Sequence, residues 1–315
     1  MEHLIGAGGW AYFAVPGNDR LTTYASAFPF VEVNATFYEH PDPRTVASWR
    51  RRVPASFRFA VRAHRDVTHR HRLRPTPAAR ASLARTAQIA DRLGAVAIVL
   101  EAPVWVAPAP VDLDDFLAAI DLPCPVALEL RAYRGRPLPV GLAAVMESHD
   151  VADVVDLSRG EPRTRSTVAY GRMFGLGEGN RWEFTDEELA AVRTRGESRD
   201  RARVIYTFHG VRMYTDAARF LTYTRTGRVP PATGHLGVRS LEDVLSRDAR
   251  FPATRAELIR DHGFRVIDGA PDRRMHAREL LERLPPGRYA DPAEMAVRMQ
   301  GEEVNETSCR DRRNL

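Results

Sequence analysis

Three short stretches alternate charged or polar side chains with apolar ones at a spacing of two. They are Val-Glu-Val-Asn at 31–34, Val-Arg-Ala-His at 61–64 and Leu-Glu-Leu-Arg at 128–131. If each is extended, Glu32 shares a face with Asn34, Arg62 with His64, and Glu129 with Arg131. Further strand-like runs end near Asp156, Arg172 and His209. Carboxylates so placed can do acid–base work, and guanidiniums can hold an anionic or polyhydroxylated ligand through forked N–H donors. Glu129 and Asp156, on neighbouring strands, are the candidate catalytic pair. Trp10, Asn34, Tyr38, Arg62, His69, Arg131, Arg172 and His209 are the candidate substrate-binding residues, with Trp10 and Tyr38 as stacking faces. Glu32 is read as structural: its expected partners are Arg62 and the Trp10 indole N–H, and Glu129 is too far across the fold to share a proton with it. The competing reading is that these charges only brace one another. Burying three carboxylates and three arginines for stability alone gains little over apolar packing.

The elements that must position these residues repeat as strand, then helix. Strand-like runs fall at 4–8, 30–34, 58–63, 96–100, 126–131, 151–156, 168–174 and 203–208. Thr76-Pro77 opens a helix that closes before Gly94, an N-cap followed by proline at the first turn. Thr185 with Glu188 spells a capping box. An amphipathic run from Tyr214 stops at Gly227. Eight strands alternating with helices predict an α/β fold, a TIM-type (β/α)8-like barrel whose chemistry collects at the carboxyl ends of its strands. The link from the first strand to the second is the weakest, with only a short helix near 21–28. Beyond Gly237 the pattern changes to short capped helices at 240–247, 254–262, 276–284 and 292–299, with one strand-like run at 265–268. The expected organisation is a barrel over 1–236, a small helical C-terminal appendage over 237–300, and a polar, disordered tail over 301–315.

Composition narrows the function classes. The chain has 315 residues, 46 basic against 41 acidic, for a net charge of +5. It contains no lysine, so every basic side chain other than histidine is arginine, and lysine Schiff-base or P-loop chemistry is excluded. Two cysteines, Cys124 and Cys309, cannot build a disulfide scaffold or a cysteine-rich zinc site. No apolar run is long enough to span a bilayer, and the start lacks the basic and apolar regions of a signal peptide, so the expectation is a cytoplasmic protein with no membrane partner. Gly6-Ala7-Gly8-Gly9 imitates a dinucleotide fingerprint, but Pro16 and Gly17 follow where a tightly packed helix is required. His69 and His71 have the spacing of two metal ligands. A divalent metal is the minor alternative, no ligand set is assigned, and the cofactor is otherwise unknown.

Several ordered motifs carry a family resemblance. Gly9-Trp10-Ala11-Tyr12, the run from Val31 to Tyr38, the run from Phe57 to Arg62 with Thr68-His69 and Leu73, Leu128-Glu129-Leu130-Arg131, Phe174-Gly175-Leu176-Gly177 with Asn180, and the segment from Tyr206 to Ala217 resemble domain of unknown function 72, the YecE-like proteins. The resemblance covers roughly residues 3–230 and implies a TIM-type barrel, likened to those of apurinic endonucleases and xylose isomerases without any activity following from the likeness. Two departures are visible. Arg62 stands where the family often has lysine, and His209-Gly210 replaces a familiar Asn-Asn pair. Residues 251–289 resemble another small uncharacterised helical family, number 2795. The function expected on this basis is a hydrolase or lyase acting on a phosphorylated, sugar-like or nucleic-acid substrate. The alternative is a non-catalytic nucleic-acid-binding or adaptor protein. An anionic small molecule or a nucleic acid is the expected partner.

Overall fold

The computed structural model describes residues 1–299. They divide into two compact units, one made of Met1–Leu176 and Ala190–Leu221, the other of Gly177–Leu189 and the chain from Thr222 onward. By compactness, the second unit thus begins ahead of residue 237 and takes in a segment from within the barrel sequence. The expected tail at 301–315 lies outside the described residues.

The first unit is a closed barrel of eight strands in chain order. They are β1 (Glu2–Ala7), β2 (Phe30–Val33), β3 (Arg58–Arg62), β4 (Ala97–Ala102), β5 (Val126–Leu130), β6 (Ala152–Val155), β7 (Val168–Met173) and β8 (Arg203–Phe208). Every pairing is parallel, and β8 returns to pair with β1. Helices α1 (Arg20–Ala27), α2 (Pro43–Arg51), α3 (Pro77–Leu93), α4 (Pro110–Ala118), α5 (Val140–Ser148), α6 (Asp186–Gly196) and α7 (Met213–Thr226) follow the strands. An irregular loop joins β6 to β7. Parallel strands are buried on both faces, which explains apolar runs such as Ile98-Val99-Leu100. The expected caps form: Thr76 accepts from the Ala79 N–H, and Gly94 closes α3 with φ 61°. One boundary is corrected. β4 runs two residues beyond Leu100 and so carries Glu101 into the barrel.

The weakest link in the sequence closes through a tyrosine. Tyr24 of α1 is fully buried, accepts from the Ala7 N–H and donates to the Phe30 carbonyl, both at 2.8 Å. This hydroxyl bridges β1 and β2, whose direct register spans only Gly6 with Phe30 and Ala7 with Val31. Gly6 makes that approach possible, since a Cβ there would stand 2.0 Å from the Phe30 carbonyl oxygen and 2.8 Å from the Tyr24 hydroxyl.

The second unit contains the strand-like run expected at 265–268, as β10 (Val266–Ala270), and further strands as well. Besides α8 (Val238–Asp248), α9 (Arg255–His262) and α10 (Ala277–Leu281), it holds two small antiparallel pairs. β9 (Ala253–Thr254) pairs with β12 (Arg288–Tyr289), and β10 (Val266–Ala270) pairs with β11 (Arg273–His276). Strands of two residues leave no readable alternation, and β11 lies in an arginine-rich run that reads as loop. Leu241, Leu245, Ile267, Leu281, Leu284 and Tyr289 are among the residues of its core. Glu183 binds it to the 177–189 segment, accepting from Arg265 Nε at 3.0 Å and the Val266 N–H at 2.7 Å.

Because the clash at Gly6 is with backbone, which cannot swing aside, Gly6→Ala is expected to destabilise the barrel by about 3 kcal/mol. Thermal melts of wild type and variant check this. An unchanged melting temperature would mean that β1 and β2 can part at little cost.

Candidate functional site

Six strands send charged or polar side chains to one end of the barrel. β2 supplies Glu32, β3 Arg62, β4 Glu101, β5 Glu129, β7 Tyr170 and Arg172, and His209 follows β8. The turn after β5 adds Arg131 and Arg134. Glu32, Arg62, Glu101, Glu129 and Arg172 are all buried, whereas the Arg131 side chain is 27% exposed and that of Arg134 is 53% exposed.

Arg172 is the hub. Its Nη1 donates to Glu101 at 2.7 Å and to Glu129 at 2.5 Å, its Nη2 lies 3.2 Å from Glu32, and its Nε donates to His209 Nε2 at 3.3 Å. Arg62 reaches Glu101 at 2.5 Å, donates to Asn34 at 2.8 Å and stands over the Phe37 ring at 4.0 Å. Arg131 bridges Glu101 at 2.8 Å and Glu129 at 2.9 Å, and Arg134 donates to Glu129 at 2.7 Å. Tyr170 donates to the second oxygen of Glu32 at 2.7 Å. Four guanidiniums against three carboxylates leave one positive charge, and the two outermost members of the cluster are both cations.

The electrostatics follow from these contacts. Burial alone would raise the Glu129 carboxyl, but Arg172 and Arg131 outweigh it and hold it at about 2. Glu32 is likewise raised by burial and brought far below the usual carboxylate range by Arg172 and His209. Burial opposes the charge on Arg172, yet Glu32, Glu129 and Glu101 raise its pKa further. His209 is lowered by burial and by Arg172, so the ring is neutral at pH 7. A guanidinium can only donate, so Nε2 accepts from Arg172 and the ring proton is assigned to Nδ1. That Nδ1 has no hydrogen-bond partner among the described residues. Gly8 packs on this edge of the ring, where a Cβ would stand 2.3 Å from Nδ1.

The structure gathers most of the residues singled out in the sequence, with corrections. Asp156 does not meet Glu129: its carboxylate accepts from the Ser158 hydroxyl at 2.6 Å, the Ser158 N–H at 3.0 Å and the Phe174 N–H at 3.2 Å. It ties the loop after β6 to the end of β7, and burial raises its pKa. Trp10 is not a partner of Glu32. Its ring packs edge-on against Trp49 at 5.3 Å. Glu32 and Glu129, set apart by strand order, are joined through the single guanidinium of Arg172. Asn34 links Arg62 to the Gly8 carbonyl. Tyr38 is exposed, and His69 packs edge-on against Phe37 at 5.4 Å and against Trp105 at 5.7 Å. Phe174 stacks on His209 at 5.1 Å, with Arg172 and Arg134 at its ring.

Glu101, Arg134, Trp105 and Tyr170 are among the members that went unread in the sequence. Glu101 was readable in principle, as an acidic residue directly after an apolar run and in register with Glu129. Arg134 and Trp105 carried no such signal, because irregular turns have no period. The Nδ1 atoms of His69 and His71 face the Thr68 and Thr76 hydroxyls. Among the described residues, no group of three or more His, Cys, Asp or Glu side chains is arranged to hold a metal.

Against this geometry, comparison with known proteins identifies a family. The profile of the family described as Protein of unknown function DUF72 matches residues 4–231. No curated protein matches the chain. A DUF72 family protein from Enterococcus faecalis is 14% identical, with a TM-score of 0.56 over 71% of this chain and 97% of that one. Another from Thermotoga maritima is 16% identical, with a TM-score of 0.56 over 71% of this chain and 100% of that one. At such identities the likeness concerns the fold. The family match stops at residue 231, so the resemblance of the C-terminal segment to family 2795 gains no support from it.

Two tests of the cluster follow. Glu129 has a folded pKa of about 2 against an ordinary 4.5, so its stabilisation is complete above pH 4.5 and is lost as pH falls towards 2. His209, lowered from 6.5, adds a loss that begins earlier, as pH falls below 6.5, because the unfolded chain takes up the proton first. Melting temperature against pH should therefore decline in two stages, and a flat profile from pH 7 to 3 would contradict it. Glu32→Gln leaves Arg172 facing a neutral amide and should cost about 3 kcal/mol, read by denaturant unfolding. Unchanged stability would mean that Arg172 does not need this carboxylate.

Proposed function

This chain belongs to the DUF72 family of proteins of unknown function, and from that premise we propose that its barrel mouth recognises a phosphorylated ligand carrying a sugar-like or aromatic moiety. The supporting observation is the direction of the charge excess. The carboxylates are buried and each is held by at least two guanidiniums, while Arg131 and Arg134 carry the surplus charge at the solvent side. Phosphate suits such forked donors. Tyr38 and Trp105, 63% and 64% exposed, offer flat faces, and His69 connects Trp105 to the charged cluster, since Arg131 and Glu101 both act on its imidazole.

The proton inventory favours recognition over acid–base catalysis by Glu129. A carboxylate held at about 2 is a weak base at neutral pH. In this reading Glu101 and Glu129 are fixed counterions that orient Arg131 and Arg134. His209 is a buried imidazole packed against Gly8 and Phe174 behind these arginines. Asp156 sets the loop that carries Phe174.

Calorimetric titration with a panel of sugar phosphates, nucleotides and short oligonucleotides tests this. At least one phosphorylated compound should bind, and Arg134→Gln should weaken it about tenfold, the scale of one charge-assisted contact, with the fold intact by circular dichroism. Absence of binding across the panel, or equal binding by Arg134→Gln, would overturn the proposal. Turnover lost in Glu129→Gln but present in wild type would restore an acid–base role to that carboxylate. If oligonucleotides bind best, a steep dependence of affinity on salt identifies a nucleic-acid ligand.

A further inference from the structure

The opposite end of the barrel holds a second cationic site. A hollow of about 640 Å³ is lined by Asp150, Arg165, Ser166, Thr167, Arg199, Asp200 and Arg201, at the amino-terminal ends of β6, β7 and β8. Arg201 is only 5% exposed and has no carboxylate within ion-pair distance. Its Nη1 donates to the Ser166 carbonyl at 2.8 Å and more weakly to that of Val168 at 3.4 Å, and its Nη2 to that of Thr164 at 3.0 Å. Its buried Nε has no partner.

Those carbonyls satisfy hydrogen bonds but carry no net charge, so the guanidinium is compensated only at longer range, by Asp153 and Asp150. The nearby carboxylates are committed elsewhere. Asp150 accepts from the Thr167 N–H at 2.7 Å and its hydroxyl at 2.5 Å, and Asp153 is paired with Arg163 at 2.7 Å. A buried charge with no carboxylate in direct contact is costly, and a further arginine beside it, Arg199, adds to that cost. Arg165 and Arg199 stand exposed on the rim, and neither guanidinium has a hydrogen-bond or ion-pair partner among the described residues. Three guanidiniums against Asp150 and Asp200 leave one positive charge. Bracing the β6–β7 loop explains the carbonyl contacts of Arg201, but it does not explain the two rim arginines.

We propose that this hollow is an anion site, separate from the barrel mouth, that takes the phosphate group of a small phosphorylated molecule. Arg165 and Arg199 supply forked donors from two sides, and Arg201 supplies the fixed field beneath them. The volume leaves room for more than a bare ion.

Inorganic phosphate is the probe, titrated into the full chain at constant ionic strength while backbone amide signals are followed by NMR. Amides of 165–167 and 199–201 should shift and saturate, and Arg165→Gln/Arg199→Gln should raise their midpoint by about tenfold or more. Both substitutions are on exposed side chains, and an unchanged amide spectrum elsewhere reports an intact fold. Signals at 130–134 should be unaffected by this variant, which separates the site from the mouth and leaves each reading to stand or fall alone. No saturable shift at 165–167 and 199–201, an unchanged midpoint in the double variant, or an equal response to chloride would overturn the proposal.

Discussion

One guanidinium holds the charged end of this barrel together. Arg172 touches the carboxylates of Glu32, Glu101 and Glu129 and the imidazole of His209, so all three of its nitrogens are engaged. In a dry interior each of those carboxylates would otherwise sit close to others of its own sign, and like charges at such range raise one another's energy steeply. Arg172 converts that repulsion into a shared attraction. Arg62, Arg131 and Arg134 complete the coordination from the outside, and the cluster as a whole ends with cations uppermost.

This interaction requires a closed barrel. Glu32 and Arg172 belong to strands far apart in sequence order, and they meet because β8 pairs with β1 and closes the ring. The closure depends in turn on short-range devices that carry no charge. Tyr24 bridges β1 to β2, and Gly6 lets it do so. Gly8 gives His209 the space in which its ring lies against the strand end.

A buried ion cluster of this kind is a poor source of stability compared with apolar packing. Its value lies in fixed geometry. Arg131 and Arg134 are long, flexible side chains that would lose considerable rotamer freedom on gripping a ligand. Glu101 and Glu129 hold them in advance, so part of that entropy is already spent on folding. Glu129, among these carboxylates, is held at about 2 and is a weak base at neutral pH.

The barrel, the approximate position of its strands and the polar residues at their ends are legible in the amino-acid pattern. Period-two alternation and helix caps are local signals, and they identified Glu32, Arg62, Glu129, Arg131, Arg172 and His209 as a set. What alternation cannot encode is who faces whom around a ring. It fixes the face of a strand but neither its register nor its neighbours across the barrel, so the link from Glu32 through Arg172 to Glu129 was invisible, and Asp156 was paired with the wrong partner. Glu101 was passed over because one residue of strand length separates a buried glutamate from a loop residue. Arg134 and Trp105 lie in turns without a period, and the two-residue strands of the second unit are too short to have one. Tertiary structure decided these because the energy of a buried charge depends on every charge within several ångströms, and those distances exist only once the ring has closed.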